Sequence, residues 1–201
     1  MAQAAEGTAG MTDHEERLIA LDLPAKDPLD PDIAAYFDKC TEKLGLVPNV
    51  LRAYAFDLDK LRAFMAMYND LMLAPSGLSK AEREMIAVAV SAENRCVYCM
   101  TAHGAALRQL TGDPALAEVI AQNWRAARLP ERQRAMLAFA VRLTRHPQDI
   151  TEDDRAGLRA AGFDDRDIWD IAAVAAFYNM SNRLAAATDM QPNAAYHGLA
   201  R

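Results

Sequence analysis

This chain predicts an all-α fold, and three observations carry that reading. No segment sustains the period-two alternation of a half-buried strand, apolar residues recur at helical spacing, and Ala-rich runs are bounded by helix start and stop residues. A length of 201 residues with 52% hydrophobic and 25% charged side chains is enough for one buried core. One helical domain is therefore expected over 16–201. The small, polar and acidic stretch before it cannot bury enough surface to order itself, which predicts a mobile N-terminal tail over 1–15.

"PLDPDIAAYFDKCTEKLG" reads as a Pro-punctuated helix stopped by Gly45, with Pro48 just after it and Cys40 on it as a small buried hydrophobe. "NVLRAYAFDLDKLRAFMAMYNDLML" keeps helical spacing through Leu51, Tyr54, Leu58, Leu61, Met65, Tyr68 and Leu71, and reads as one long helix ending at "APSG". In "SGLSKAEREMIAVAVSAEN", Ser79 and Glu82 have capping-box spacing, and the run from Met85 to Val90 is apolar on every side, which places this helix in the middle of a bundle. "GDPALAEVIAQNWRAA" and "LPERQRAMLAFAVRLTRHP" are helices with Pro near the start. "TEDDRAGLRAAG" is a short one closed by Gly162, and "DDRDIWDIAAVAAFYNMSNRLAAATDM" is long with an almost wholly apolar middle. Trp124, Trp169, Phe177 and Tyr178 are expected in the core or an interface. Asn182 and Arg183 are pocket candidates that nothing else in the sequence supports.

An internal echo joins two of these helices. Leu78 to Val90 aligns without gaps on Leu129 to Val141, with Leu, Arg, Met, two Ala and Val kept at matched positions. The difference is informative: Glu84 matches Ala135, and nothing after Val141 resembles the two cysteines that come after Val90.

Charge and ends restrict the function. A formal charge of −6 and no Lys/Arg cluster argue against nucleic-acid and anionic-membrane partners. The first residues have neither a basic region nor an apolar run, so no secretion signal or anchor is expected and the compartment is expected to be cytoplasmic. Three cysteines are too few for a secreted disulfide framework, and a Cys-x-x-Cys pair in a reducing compartment points to redox or metal chemistry.

That pair lies in "ENRCVYCMTAH". On a helix Cys96, Cys99 and His103 share one face. A disulfide needs a pliable helix end, because Cβ atoms three residues apart are about 5–6 Å apart where the bond wants about 3.5–4.5 Å. Asn94 as an N-cap would supply that end and put Cys96 in the first turn. A useful thiolate fraction at neutral pH needs a pKa drop worth ~2.7 kcal/mol, and a helix terminus supplies only ~0.3–1 kcal/mol. A nearby proton acceptor is therefore required, and His103 is the local one. Glu84 is the second candidate. Twelve residues of straight helix would hold it about 18 Å from Cys96, so the chain must fold back around Ser91 to Asn94 as a helical hairpin. Glu93, beside the bend, is read as a solvated or first-turn charge. A zinc site would lack a convincing fourth ligand, with only Cys40, His14, His146 and His197 scattered elsewhere. Haem attachment would need His where Met100 stands, and a thioredoxin-like setting would need strands.

The pattern Glu84-x₁₁-Cys96-x₂-Cys99-x₃-His103, with similar stretches on both sides, resembles the alkylhydroperoxidase D family, in the peroxidase-related branch of the carboxymuconolactone decarboxylase-like superfamily. The resemblance implies an AhpD-like helical bundle that assembles as a homo-oligomer and a cofactor-free thiol peroxidase reaction. Cys99 would attack the hydroperoxide, Cys96 would resolve the product to a disulfide, and Glu84 and His103 would relay protons. A dihydrolipoyl or thioredoxin-like dithiol would serve as reductant. Tyr98 stands where well-known members have a histidine, which removes one imidazole from the relay. The rival functions are a decarboxylase or isomerase of the superfamily's other type and a non-catalytic redox-sensing oligomer.

Overall fold

The computed structural model describes residues 17–201; the tail expected over 1–15, with His14, lies outside them. Nine α-helices and no strand occur among the described residues. They are α1 (Pro31–Leu44), α2 (Asn49–Tyr54), α3 (Leu58–Tyr68), α4 (Lys80–Glu93), α5 (Val97–Thr111), α6 (Leu116–Asn123), α7 (Glu131–Arg145), α8 (Glu152–Ala160) and α9 (Asp165–Ala187).

The helix ends are chemically marked. Pro31 opens α1, and Gly45 closes it at φ 75°, a left-handed conformation that costs glycine little. At α4 the Ser79 N–H donates to Glu82 Oε2 (2.9 Å) and the Glu82 N–H to Ser79 Oγ (3.2 Å), the reciprocal box that the sequence predicts. Asp164 and Asp167 build the same device for α9.

The single long helix expected over 49–73 is instead two helices and a π turn, Asn69–Leu73. Asp57 is responsible for the break: its carboxylate accepts from the Lys60 N–H at 3.1 Å and starts α3 afresh. The periodicity hides this because α2 and α3 bury residues in one small cluster, Leu51 and Leu61 with Ile33, so the apolar spacing runs on across the turn.

Helix α4 is central, packed by α5, α6, α7 and α9. From Glu82 to Ser91 every residue is buried. Ile86, Val88 and Val90 meet Leu107, Met136, Leu137, Ile171 and Val174 in the main core. Truncating Ile86, which has no exposure, to Ala would cost about 2–5 kcal/mol. Phe177, Tyr178 and Trp124 also lie in this core, but Trp169 is 71% exposed on α9. No described helix is long and apolar enough to cross a membrane.

Candidate active site

Between α4 and α5 the chain reverses through Asn94, Arg95 and Cys96, with Arg95 in the left-handed region at φ 54°. Because this reversal is so tight, Asn94 caps the end of α4, and Cys96 is itself the N-cap of α5, with φ −82° and ψ 103°. This corrects the expectation that Asn94 would start the second helix. The consequence for the cysteines is favourable: Cys96 lies just outside the regular helix, where its backbone has the freedom to meet the residue three positions on. Cys96 and Cys99 are both buried, free thiols.

The two sulfurs share one charge. Cys96 is lowered to about 6, first by a hydrogen bond from the Cys99 thiol, with further support from the Cys99 N–H and the Asn182 side chain; burial opposes this and His103 contributes least. The Cys99 thiol is pushed well above its ordinary range, first by the hydrogen bond it gives to Cys96 and then by burial. The sequence points to His103 as the local group that activates the thiols; in the structure this support comes mainly from the neighbouring thiol.

The α4–α5 hairpin brings Glu84 to His103. Glu84 Oε2 lies 2.7 Å from His103 Nδ1, and Tyr178 Oη from α9 lies 3.3 Å from the same nitrogen. Glu84 is buried, and the His103 and Tyr178 rings meet edge to face, 4.6 Å between centroids. His103 Nε2 has no hydrogen-bond partner among the described residues.

Cys99 and His103 line a cavity of about 600 Å³ walled by side chains such as Tyr54, Phe64, Tyr68, Phe177 and Met190; Cys96 and Glu84 do not line it. Charge and access thus fall on different sulfurs, with Cys96 carrying the anion and Cys99 facing the cavity. The hydrogen bond between them reconciles the two, since moving its proton onto Cys96 puts the charge on the sulfur that faces the cavity. Cys40 is half-buried and lines the same cavity, and burial pushes its thiol up. Tyr98 also lines it and accepts from the Val50 N–H at 2.8 Å, tying α2 to α5.

A second ring of support surrounds these groups; of it the sequence offers only Asn182, and as a pocket residue, whereas neither Asn182 nor Arg183 lines the cavity. Asn182, nearly fully buried on α9, donates to Ser91 Oγ (3.0 Å) and accepts from Asn94 Nδ2 (2.9 Å); the same Asn94 nitrogen reaches Asn179 Oδ1 (3.0 Å). A signal is present, because Asn179 and Asn182 are three residues apart in a helix with an apolar middle and so share a face. Tyr178, a core residue by sequence, also belongs to the site through its contact with His103. Elsewhere, Glu93 pairs with Arg145, and His146 and His197 are exposed. Among the described residues no cluster of three or more His, Cys, Asp or Glu side chains is arranged to hold a metal ion.

Residues 59–140, from α3 into α7 and including Glu84, Cys96, Cys99 and His103, match the Carboxymuconolactone decarboxylase family. The chain is 60% identical to an uncharacterized peroxidase-related protein from Silicibacter sp. TM1040, over 96% of this chain and 100% of that one, with a TM-score of 0.91. It is 42% identical to a second uncharacterized peroxidase-related protein, an alkylhydroperoxidase AhpD core from Ralstonia eutropha JMP134, covering 92% of this chain and 97% of that one, TM-score 0.88. The debrominase Bmp8, at 20% identity, shares the fold with a TM-score of 0.74 over 92% of this chain and 96% of its own. No curated protein matches. The chain belongs to the carboxymuconolactone decarboxylase family, in its AhpD-like, peroxidase-related branch.

Proposed function

We propose that this protein is a cofactor-free thiol peroxidase that reduces organic hydroperoxides and is itself re-reduced by a dithiol partner of the dihydrolipoyl or thioredoxin-like class. The observation that carries the reading is that Cys99 and His103 line one cavity, with the Cys96 thiol beside the first and Glu84 hydrogen-bonded to the second.

In the resting state the thiol pair holds one proton and one negative charge. As Cys99 attacks a peroxide oxygen, its proton passes to Cys96, the O–O bond breaks, and the departing alkoxide takes a proton from protonated His103, which Glu84 stabilises. Cys99 is now a sulfenic acid. The Cys96 sulfur then attacks the Cys99 sulfur, the S–S bond forms, and the Cys96 proton leaves with the hydroxyl as water. One hydroperoxide has become an alcohol and one water, and the two electrons have come from the two thiols. The dithiol partner returns them with its two protons, one of which stays on the Cys99 thiol while the other restores His103 and leaves the charge on the thiol pair.

Steady-state hydroperoxide consumption with a small dithiol tests this. Cys99→Ser should abolish turnover, and Cys96→Ser should leave a sulfenic acid on Cys99 that dimedone labels. Undiminished turnover by Cys99→Ser would refute the assignment of roles.

A further inference from the structure

The chain has 28 acidic against 22 basic side chains, so an average surface patch should show carboxylates at least as often as ammonium groups. The cavity departs from this. Apart from His103, its charged lining is Lys39, Lys43 and Lys80, with no Asp, Glu or Arg among the described residues. All three lysines are exposed, and none pairs with a described carboxylate. Lys39 and Lys43 stand one turn apart on α1, and Lys80 opens α4, so the cations come from two separate elements. The lysines are exposed where they border the cavity, whereas Cys99, which also lines it, is buried.

The rest of the wall is mostly apolar. A volume of about 600 Å³ is ordinary for a pocket that holds an organic molecule. A hydroperoxide of a few atoms would leave most of that apolar surface uncovered.

We infer that the cavity selects an anionic amphiphile: a molecule whose apolar body fills the aromatic chamber and whose single carboxylate, or similar anionic head, is held at the mouth by Lys39, Lys43 and Lys80. Lysine suits this task because it attracts an anion as a point charge without demanding a planar fork of acceptors. Joined to the peroxidase reading, on which the reacting group rests, the substrate is an apolar hydroperoxide bearing an acid group at its far end.

The test uses probes without a peroxide. Binding of decanoate, decanol and decyltrimethylammonium to the reduced full chain is measured by calorimetry below their micelle concentrations. Decanoate should bind about tenfold more tightly than decanol, the sum of three weak exposed attractions, and the cation least tightly. Added salt should narrow the gap. The triple variant Lys39→Gln, Lys43→Gln, Lys80→Gln should bind decanol as the parent does, which reports an intact chamber, and should lose the preference for decanoate. Equal affinities in the parent, a preference that survives in the triple variant, or no binding of any probe would overturn the inference. The two readings fail separately: decanoate preference without hydroperoxide turnover removes only the peroxidase, and turnover without preference removes only the anion site.

Discussion

Helices α4 and α7 are matched segments put to different uses. Both carry an arginine at the aligned position that reaches back to the preceding backbone: Arg83 Nη1 donates to the carbonyls of Leu71 (3.1 Å) and Ala74 (2.9 Å), and Arg134 to those of Arg125 and Ala127 (3.4 Å each). Both bury the aligned methionine, Met85 and Met136. The two helices diverge at the position just before that methionine, where α4 has Glu84 and α7 has Ala135. A lone carboxylate inside a bundle is costly, and Glu84 is tolerated because α5 folds back to set His103 at 2.7 Å. Helix α7 runs instead into Pro147 and has no such partner. The difference teaches where to look in a helical bundle: where two segments share their packing chemistry, a buried charge present in only one of them marks the copy that carries the candidate site.

Glu84→Ala makes α4 resemble α7 at the aligned position. It should cut kcat/KM for a hydroperoxide by about 10²-fold or more, the usual loss when a proton-transfer group is removed, while unfolding stays cooperative. Full activity in this variant would erase the functional distinction between the helices. The shared anchor can be weighed next by denaturant titration. Arg83→Met should cost about 2–3 kcal/mol, because buried carbonyls lose a charged donor; Arg134→Met, with longer bonds and partial exposure, should cost about 1 kcal/mol or less. Equal costs would show that the two anchors contribute alike to the fold.

The remaining tests concern the turn that α7 lacks. Ultraviolet thiolate absorbance of the reduced protein should rise with a midpoint near pH 6 and be lost in Cys96→Ser, and Asn182→Ala should move that midpoint upward by removing one support of the anion. Reduced protein should also gain stability as pH rises from about 6 to 9. A folded thiol at about 6 against an unfolded one near 9 contributes stability that is complete above the unfolded value and lost as pH falls through the folded one. Above pH 9 the trend should reverse, because Cys99 is held protonated in the fold. Cys96→Ser should flatten the rise; a parent curve that is already flat would remove the shared charge from the account.

Much of the site is legible in the sequence because it is local. The capping box at Ser79, the all-round apolar run behind Glu84 and the face shared by Cys99 and His103 are properties of neighbouring residues, and a hairpin is the simplest way to join them. The features that stay hidden depend on longer paths. Asn182 reaches the thiols from the distant helix α9, and no spacing rule in one sequence gives that register. The break at Asp57 hides behind unbroken apolar spacing. The start of α5 turns on Arg95 adopting a left-handed backbone, a conformation a bulky residue rarely takes and one no propensity would assign.

The hydrogen bond between the two sulfurs also bears on how the protein would be recharged. A dithiol that keeps a stabilised anion at neutral pH has a lowered energy relative to its bridged form, so the bridge is correspondingly eager for electrons. On the proposed function, a disulfide between Cys96 and Cys99 should therefore open with a modest dithiol donor.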